Sequence, residues 1–321
     1  FCKKHQAPKT PVVFGGGVCY TEGRQSSGEE PTMADVTAII LTQNEEKNLG
    51  DCLRSVEKFA KRRVVVYRGS SDGTVALARS LGPEVLEHPF ENYARLFNWG
   101  VGNAHDQTKW ILRLDADERF PEALCNRLEK LLAEHADDDV NGFLMEANFY
   151  FLGRLIRFGG PKKRKIMVYR AGKGRVEDRR MDEHTVVDGG RVIEVRERFD
   201  HRDFKDVGTF VSKVNRYATR EMQDYFDFKQ NGTDAPSDRK NAALRRKKFG
   251  LYYRMPMFLR CWMLFIYNYI FRLGFLDGRE GFIYHWLYQR WYRTLVDAKI
   301  YEQMRFPKPF EETGSLNPPK S

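Results

Sequence analysis

Three acidic side chains directly follow an apolar run in the sequence WILRLDADERF, residues 110–120. Asp115, Asp117 and Glu118 lie where a buried strand is predicted to end. Carboxylates so close together repel one another unless a positive group lies between them. Asp115 and Asp117 could share a divalent cation, directly or through a bound nucleotide, and carboxylates suit Mg²⁺ or Mn²⁺. The alternative is a capped turn before Pro121, which would need only one acid.

The predicted secondary structure brings these acids together with other polar loops. Strands are predicted over 36–42, 63–67, near 85 and over 110–114, and helices over 45–60, 73–81, 92–103 and 121–135, the first of them capped by Asn44. This alternation is typical of a parallel sheet with helices on both faces. Ligands of such sheets bind beyond the carboxyl ends of the strands. The loops TQNEE, YRGSSDG and DADER all lie at that edge, so we expect one site there.

Composition divides the chain into successive segments. Residues 1–32 are rich in Gly, Ser and charge and lack the apolar core of a secretory signal, so we interpret them as a disordered leader or added segment. Residues 33–222 are predicted to form the α/β catalytic domain and 223–248 a polar and basic linker. A helical region over 249–305 and a tail over 306–321 complete the chain.

The helical region contains the most aromatic stretch of the sequence. Its longest uncharged run, from Cys261 to Phe271, is too short for a spanning helix, which needs about 20 apolar residues. One interpretation is a helix that lies in the membrane surface, with aromatic side chains inward and arginines at the headgroups. The other is a helix buried against the catalytic domain. The preceding cluster RRKK favours an anionic lipid surface.

The overall composition excludes several classes of protein. The net charge is +10, and residues 216–321 hold 19 Lys and Arg against 11 Asp and Glu. This basic excess lies beside bulky aliphatic residues and forms no stacking platform, so nucleic acid is not a predicted partner. The five cysteines are scattered without a CxxC pair, which argues against a disulfide framework or a zinc site and fits a reducing compartment.

The order TQNEE, GSSDGT, LDADE, DEH resembles the inverting glycosyltransferases of family 2, in particular the bacterial enzymes of lipopolysaccharide-core and exopolysaccharide biosynthesis. The resemblance runs from about Asp35 to Glu302 and includes the ending GFLDGREGFIYHWLYQRWYRTLVDAK. It implies the GT-A fold, which is Rossmann-like, with a mostly parallel sheet and flanking helices. A C-terminal helical region, aromatic and basic, would follow that domain.

The resemblance also implies roles for residues that bind the donor. Thr42, Asn44 and Glu45 would hold the base and ribose of a nucleotide sugar, and Asp72 would support that pocket. Asp115 would face the ribose or the sugar.

The catalytic and metal-binding roles fall on two further acidic motifs. Asp117 would bind the metal that bridges the diphosphate. In the motif MDEH, either Asp182 or Glu183 would be the general base, and we favour Glu183. His184 and Arg170 would be accessory site residues. Direct displacement at the anomeric carbon needs a base on the attacking side and neutralisation of charge on the leaving diphosphate. Without the resemblance, DEH would be interpreted as a solvated loop.

The chain departs from the family pattern at several positions. The family usually has Asp where this chain has Tyr67, often Gln where it has Leu96, and Arg where it has Met167. Tyr67 offers no carboxylate to a nucleobase, and losing a buried hydrogen-bond partner costs about 1–3 kcal/mol. Either the donor pocket is rebuilt around Arg68 or the chain is a weakened relative. The retained DADE and DEH favour activity.

We therefore expect an inverting, metal-assisted glycosyltransferase that uses a UDP-sugar and a saccharide or lipid-linked acceptor. Its expected location is cytoplasmic, peripheral at the inner face of the cell membrane. The alternative is a catalytically impaired relative that binds nucleotide sugars or membranes. A nucleotidyltransferase is disfavoured, because TQNEEKN lacks the Gly-rich loop that such enzymes carry after the first strand.

Overall fold

A computed structural model describes residues 12–14, 17–19, 33–104, 108–178, 184–231 and 248–308. The chain divides into two compact units, residues 1–32 and 33–321. In the first unit, strands β1 (Val12–Phe14) and β2 (Gly17–Cys19) pair antiparallel. The proposed boundaries at 222, 248 and 305 remain predictions.

The second unit begins with alternating strands and helices. They are β3 (Ala34–Thr42), α1 (Glu46–Ser55), β4 (Ala60–Tyr67), α2 (Thr74–Ser80), β5 (Glu84–Glu87), α3 (Tyr93–Gly102), β6 (Trp110–Asp115), β7 (Glu118–Arg119) and α4 (Glu122–Glu134). Strands β5, β4, β3 and β6 lie side by side in that order and all pair parallel. This is the parallel sheet that the sequence predicted.

The sheet continues with strands from the next part of the chain. They are β8 (Val140–Phe151), β9 (Arg154–Leu155), β10 (Arg164–Arg170), β11 (Gly174–Val176), β12 (Thr185–Val187), β13 (Arg191–Glu194) and β14 (Phe199–Arg202). Strand β10 lies between β6 and β8 and pairs antiparallel with both. Strand β14 pairs parallel with β8 and antiparallel with β7. The sheet is therefore mixed beyond β6.

Strand β3 is the centre of the fold because both of its faces are covered. Val36, Ala38 and Ile40 pack in one core cluster with side chains of α1 and α4, whereas Ile39 packs with α3 on the other face. The helix predicted over 45–60 ends at Ser55, since the chain enters β4 at Ala60. The predicted α/β class with flanking helices is confirmed.

The last part of the second unit is helical. It comprises α5 (Val207–Asn231), a π-helical turn (Lys248–Tyr252), α6 (Leu259–Ile266), a second π-helical turn (Tyr267–Phe271), a 3₁₀ turn (Gly274–Asp277), α7 (Gly278–Tyr284), a third π-helical turn (His285–Trp291) and α8 (Tyr292–Arg305). One side of α5 packs on α8, with Val214 and Ala218 against Val296. The predicted C-terminal helical region, with its aromatic clusters, is confirmed.

Candidate functional site

The carboxyl ends of three neighbouring strands meet at one edge of the sheet. Thr42, the last residue of β3, lies opposite Tyr67, the last residue of β4. On the other side of β3, Leu41 lies opposite Asp115, the last residue of β6. The loops that the sequence predicted to lie together therefore follow adjacent strands.

Hydrogen bonds join the loop after β3 to the loop after β4. The backbone N–H of Ser71 donates to Oδ1 of Asn44 at 2.8 Å, and that of Glu45 donates to Oγ1 of Thr74 at 2.8 Å. Oδ2 of Asp72 accepts from the N–H of Glu46 at 3.3 Å. The prediction that Asn44 caps α1 was wrong, because its side chain bonds to the opposite loop. Asn44 and Asp72 therefore shape the edge by fixing these two loops together.

Two predicted donor-binding residues lie on the inner side of this edge. Thr42 is buried, and its Oγ1 has no hydrogen-bond partner among the described residues. Glu45 accepts from Asn48 at 2.8 Å and contacts the ammonium of Lys205. Burial and the charge of Asp117 raise the pKa of Glu45 above its usual range. Both side chains can accept a hydrogen bond from a ligand at the edge.

A lysine lies between two of the three acids of the DADE motif. The ammonium of Lys165, on β10, is 2.7 Å from Oδ2 of Asp115 and also contacts Oε1 of Glu118. Tyr93 donates its hydroxyl to Oδ1 of Asp115. Burial opposes ionisation of Asp115, but Lys165 and Arg113 outweigh it and hold the pKa of Asp115 well below its usual range. Lys165 is thus the positive group that the acid spacing requires.

Asp117 has a different set of neighbours. Its Oδ1 is 3.5 Å from Nδ1 of His201, on β14, and its Oδ2 is 3.8 Å from Nζ of Lys213, on α5. Burial opposes ionisation here too, yet His201 and Lys213 lower the pKa of Asp117 to about 2. Burial lowers the pKa of His201 to about 3, so its imidazole is neutral at pH 7. Nζ of Lys163 is 3.3 Å from Nε2 of the same ring.

Asp117 and His201 fit part of a divalent-cation site. A carboxylate and a neutral imidazole face one another, and the buried Nδ1 of His201 has no hydrogen-bond partner among the described residues. In the part of the chain that the structure describes, no three Asp, Glu, His or Cys side chains gather as a complete ligand set. A cation held by this pair would keep positions open for phosphate oxygens and water.

The remaining predicted site residues are Arg170 and the last three residues of the motif MDEH. Asp182 and Glu183 lie outside the described residues, and His184 immediately precedes β12. Arg170 pairs with Trp110, the first residue of β6, and so lies at the opposite end of that strand from Asp115. Its guanidinium donates to the carbonyl oxygens of residues 135 and 136, both at 2.9 Å. These bonds tie the end of α4 to the sheet, and the accessory site role of Arg170 remains a prediction.

The residues that depart from the family pattern also have defined places. Tyr67 donates its hydroxyl to Oε2 of Glu87 on β5 at 2.6 Å. Leu96 and Met167 are buried in the two core clusters on α3 and β10. These two apolar residues therefore contribute to packing at their positions.

Sequence reasoning gave no role to the lysines of this edge. Lys163 and Lys165 belong to the run PKKRK, which by its composition resembles ordinary exposed charge. No motif in the sequence assigned a role to Lys213 or His201. The signal that points to Lys165 is the uncompensated charge of the three acids, which requires a cation from elsewhere in the chain.

Comparisons with known proteins fall on the same part of the chain. A model described as Glycosyl transferase family 2 matches residues 37–170. The lipopolysaccharide core biosynthesis glycosyltransferase LpsC of Rhizobium meliloti (strain 1021) is 27% identical over 279 residues, 84% of this chain and 92% of that protein. An uncharacterized glycosyltransferase of Rickettsia felis (strain ATCC VR-1525 / URRWXCal2) is 31% identical over 106 residues, 33% of this chain and 37% of that protein. The solved structure of S. aureus TarS 1-349 covers 86% of this chain and 93% of its own, with 13% identity and a TM-score of 0.40.

Proposed function

We propose that this chain, which matches glycosyltransferase family 2 over residues 37–170, is an enzyme that transfers a sugar from a UDP-sugar to a saccharide or lipid-linked acceptor of the cell envelope, with inversion at the anomeric carbon. The observation that carries the proposal is the meeting of Thr42, Asp115 and Asp117 at one edge of the sheet. The likeness to a protein of lipopolysaccharide core biosynthesis supports an envelope saccharide as acceptor.

The metal part of the proposal rests on Asp117 and His201. Asp117 is ionised and His201 is neutral at pH 7, which are the protonation states that bind Mg²⁺ or Mn²⁺. A bound cation would supply positive charge to the leaving diphosphate. Lys163 and Lys213, which lie beside these two residues, provide N–H donors for the same phosphate oxygens.

The other residues of the edge orient the donor and the acceptor. Asp115, kept ionised by Lys165, accepts hydrogen bonds from hydroxyl groups of the ribose or the sugar. Thr42 and Glu45 contact the nucleoside. Glu183 is the proposed general base that takes the proton of the acceptor hydroxyl, with Asp182 as the alternative.

A membrane surface is the proposed location of the acceptor. Large apolar side chains in residues 258–286 are exposed; we call them the apolar belt: Phe258, Leu259, Trp262, Met263, Ile266, Tyr267, Ile270, Phe271, Leu273, Phe275, Leu276, Phe282 and Trp286. Contiguous exposed patches of this kind mark interaction surfaces. Among the described residues, no helix has the length and hydropathy to cross a bilayer.

The spacing of the side chains in the apolar belt indicates how this surface would contact lipid. Leu259, Trp262, Met263, Ile266 and Ile270 recur at helical spacing along α6 and the turn after it, so one whole face is apolar and exposed. A helix of this kind lies in the membrane surface with its apolar face among the acyl chains. The exposed arginines at positions 254 and 279 suit anionic headgroups. We propose that the enzyme is peripheral at the inner face of the cell membrane.

One observation favours the second candidate function, that of a catalytically impaired binding protein. The hydroxyl of Tyr67 bonds to Glu87, so the end of β4 offers the nucleobase no carboxylate of its own. Such a protein would bind nucleotide sugar or membrane without turnover.

Calorimetric titration with UDP, GDP and dTDP, with and without Mn²⁺, tests the proposal. Binding of one nucleotide should depend on Mn²⁺ in the native protein and lose that dependence in Asp117→Asn. Asp137→Asn, a change at an exposed acid, is the matched control. For the nucleotide that binds, hydrolysis of its sugar derivative by the native protein is compared with that by Glu183→Ala. Binding preserved with hydrolysis lost supports the enzyme, and binding without turnover in the native protein supports the impaired relative.

A further inference from the structure

Arg68 lies at the edge of the candidate site and has no anionic partner among the described residues. It follows β4 directly, and its backbone N–H donates to the carbonyl oxygen of Thr42 at 3.4 Å. Its guanidinium carbon lies 3.4 Å from the centre of the Phe90 ring, so the ring fixes the guanidinium in place. Nη1 is buried and has no hydrogen-bond partner among the described residues. This guanidinium is fixed in place and has an N–H donor without a partner, so it can bind an acceptor oxygen of a ligand.

Helix α5 brings two further arginines toward Arg68. Lys213 on this helix points at Asp117, and Arg216 and Arg220 follow it three and seven residues later on the same face. These residues therefore form a line of cations, Lys213, Arg216 and Arg220, on the face of α5 that contacts Asp117 at the edge. Burial and, after it, the charges of Arg220 and Arg216 lower the pKa of Arg68 to about 10, in agreement with a placement of both residues toward Arg68.

The ion pairs of the described residues leave the charge of these three arginines unbalanced. In the segments that the structure describes, none of Arg68, Arg216 and Arg220 forms an ion pair with Asp or Glu, whereas many other arginines of the chain do. Like charges held together destabilise the protein unless an anion joins them. The guanidinium fork matches the geometry of phosphate oxygens, so phosphate is the anion that this cluster suits best.

We propose that Arg68, Arg216 and Arg220 form a phosphate-binding site beside the proposed donor pocket. Three guanidinium groups are balanced by a ligand that carries negative charge. The phosphate comes from the donor diphosphate or from a phosphorylated acceptor, and the choice between these sources rests on the proposed function. Binding of phosphate itself does not depend on turnover.

Isothermal titration of inorganic pyrophosphate into the metal-free full chain tests the site directly. The double variant Arg216→Ala/Arg220→Ala should weaken pyrophosphate binding about tenfold or more, because two charge-assisted contacts are lost. Arg127→Ala removes an exposed arginine from the middle of α4 and is the matched control. Arg68→Lys keeps the charge but loses the paired donors, and it should also weaken binding. Equal affinity in the native protein and the double variant would overturn the proposal.

Two further titrations identify the source of the phosphate. If the double variant loses affinity for UDP but not for uridine, the site holds the donor diphosphate. If UDP binding is unchanged and glucose 6-phosphate binding falls, the site holds a phosphorylated acceptor. If the double variant and Arg127→Ala bind every phosphate-bearing compound with the same affinity, the three arginines are not a phosphate site. A protein that binds pyrophosphate through these arginines yet transfers no sugar would contradict the proposed function and leave this site intact.

Discussion

The ammonium of Lys165 lies 2.7 Å from the carboxylate of Asp115, although the two residues are 50 positions apart in the chain. Strand β10 makes this contact by inserting antiparallel beside β6. The same ammonium contacts Glu118 on its other side. A protein side chain therefore stabilises part of the DADE motif before any ligand binds, and Asp117 is the acid to which we assign the proposed metal.

Replacing Lys165 should lower the free energy of unfolding, because its ammonium contacts the acids Asp115 and Glu118. Lys165→Met removes the cation that contacts both Asp115 and Glu118, and breaking a buried pair costs about 3–5 kcal/mol. We expect a loss near the lower value, because the Asp115 side chain retains 28% exposure and the Lys165 side chain 21%. Urea denaturation at pH 7 measures the free energy of unfolding. Lys165→Arg keeps the charge and should lose much less. A change below about 0.5 kcal/mol in Lys165→Met would show that the pair does not stabilise the fold.

The sequence predicted the parallel strands of the sheet well. It predicted poorly the cationic side chains that contact the acids at the edge of that sheet. Val36 to Thr42 and Trp110 to Leu114 are mostly apolar and are buried on both faces, which determines their place in the centre of the sheet. Lys165, in contrast, comes from an antiparallel strand whose position between β6 and β8 depends on tertiary pairing. No periodicity of the run PKKRK distinguishes this lysine from its exposed neighbours. Local pattern thus identified the acids, while their partners depended on long-range topology.

Tyr67 should contribute little to nucleotide binding through its hydroxyl. That hydroxyl donates to Glu87 at 2.6 Å and is therefore engaged at the β5 side of the edge. Tyr67→Phe is expected to change the affinity for the preferred nucleotide by less than about threefold. Isothermal titration of that nucleotide measures the effect.

Glu87→Gln removes the negative charge from the acceptor of the same hydrogen bond. It is the paired control and should behave like Tyr67→Phe. A loss of tenfold or more in Tyr67→Phe alone would place the hydroxyl in the donor pocket. That result would also argue that the ring replaces the family's acidic residue in contacting the base.

His285 should make the protein sensitive to acid. Its Nε2 donates to the carbonyl oxygen of Phe158 at 3.2 Å, and a Cβ on Gly159 would lie 2.8 Å from its ring, so the C-terminal helices press closely on this loop. Burial lowers the pKa of His285 below 6.5 despite the hydrogen bond to Phe158. The unfolded chain therefore binds a proton more readily than the folded protein as pH falls below 6.5, and the stability contributed by the neutral ring is lost in that range.

His285→Gln removes this titration. The free energy of unfolding, measured by urea denaturation from pH 7.5 to 5, should fall less steeply with decreasing pH in the variant than in the native protein. His88→Gln removes an imidazole from outside the helical region and is the control for the general effect of losing a histidine. Parallel curves for the native protein and His285→Gln would show that this ring does not contribute to the acid response.

The apolar belt should bind anionic membranes through its exposed aromatic side chains. Phe271 is 74% exposed and Trp262 41% exposed, and burying one such side chain in acyl chains contributes about 1.5–3 kcal/mol. The double variant Phe271→Asp/Trp262→Asp should therefore lose at least about tenfold in co-sedimentation with vesicles of phosphatidylglycerol and phosphatidylcholine. Tyr301→Asp alters a side chain of similar exposure, 54%, on α8 outside the belt and should bind as the native protein does. Trp262 also packs against Trp286 and Arg290, so the thermal unfolding temperature of each variant is measured to show that it is folded at the temperature of the assay. Co-sedimentation of the double variant equal to that of Tyr301→Asp would exclude the belt as the lipid-binding face.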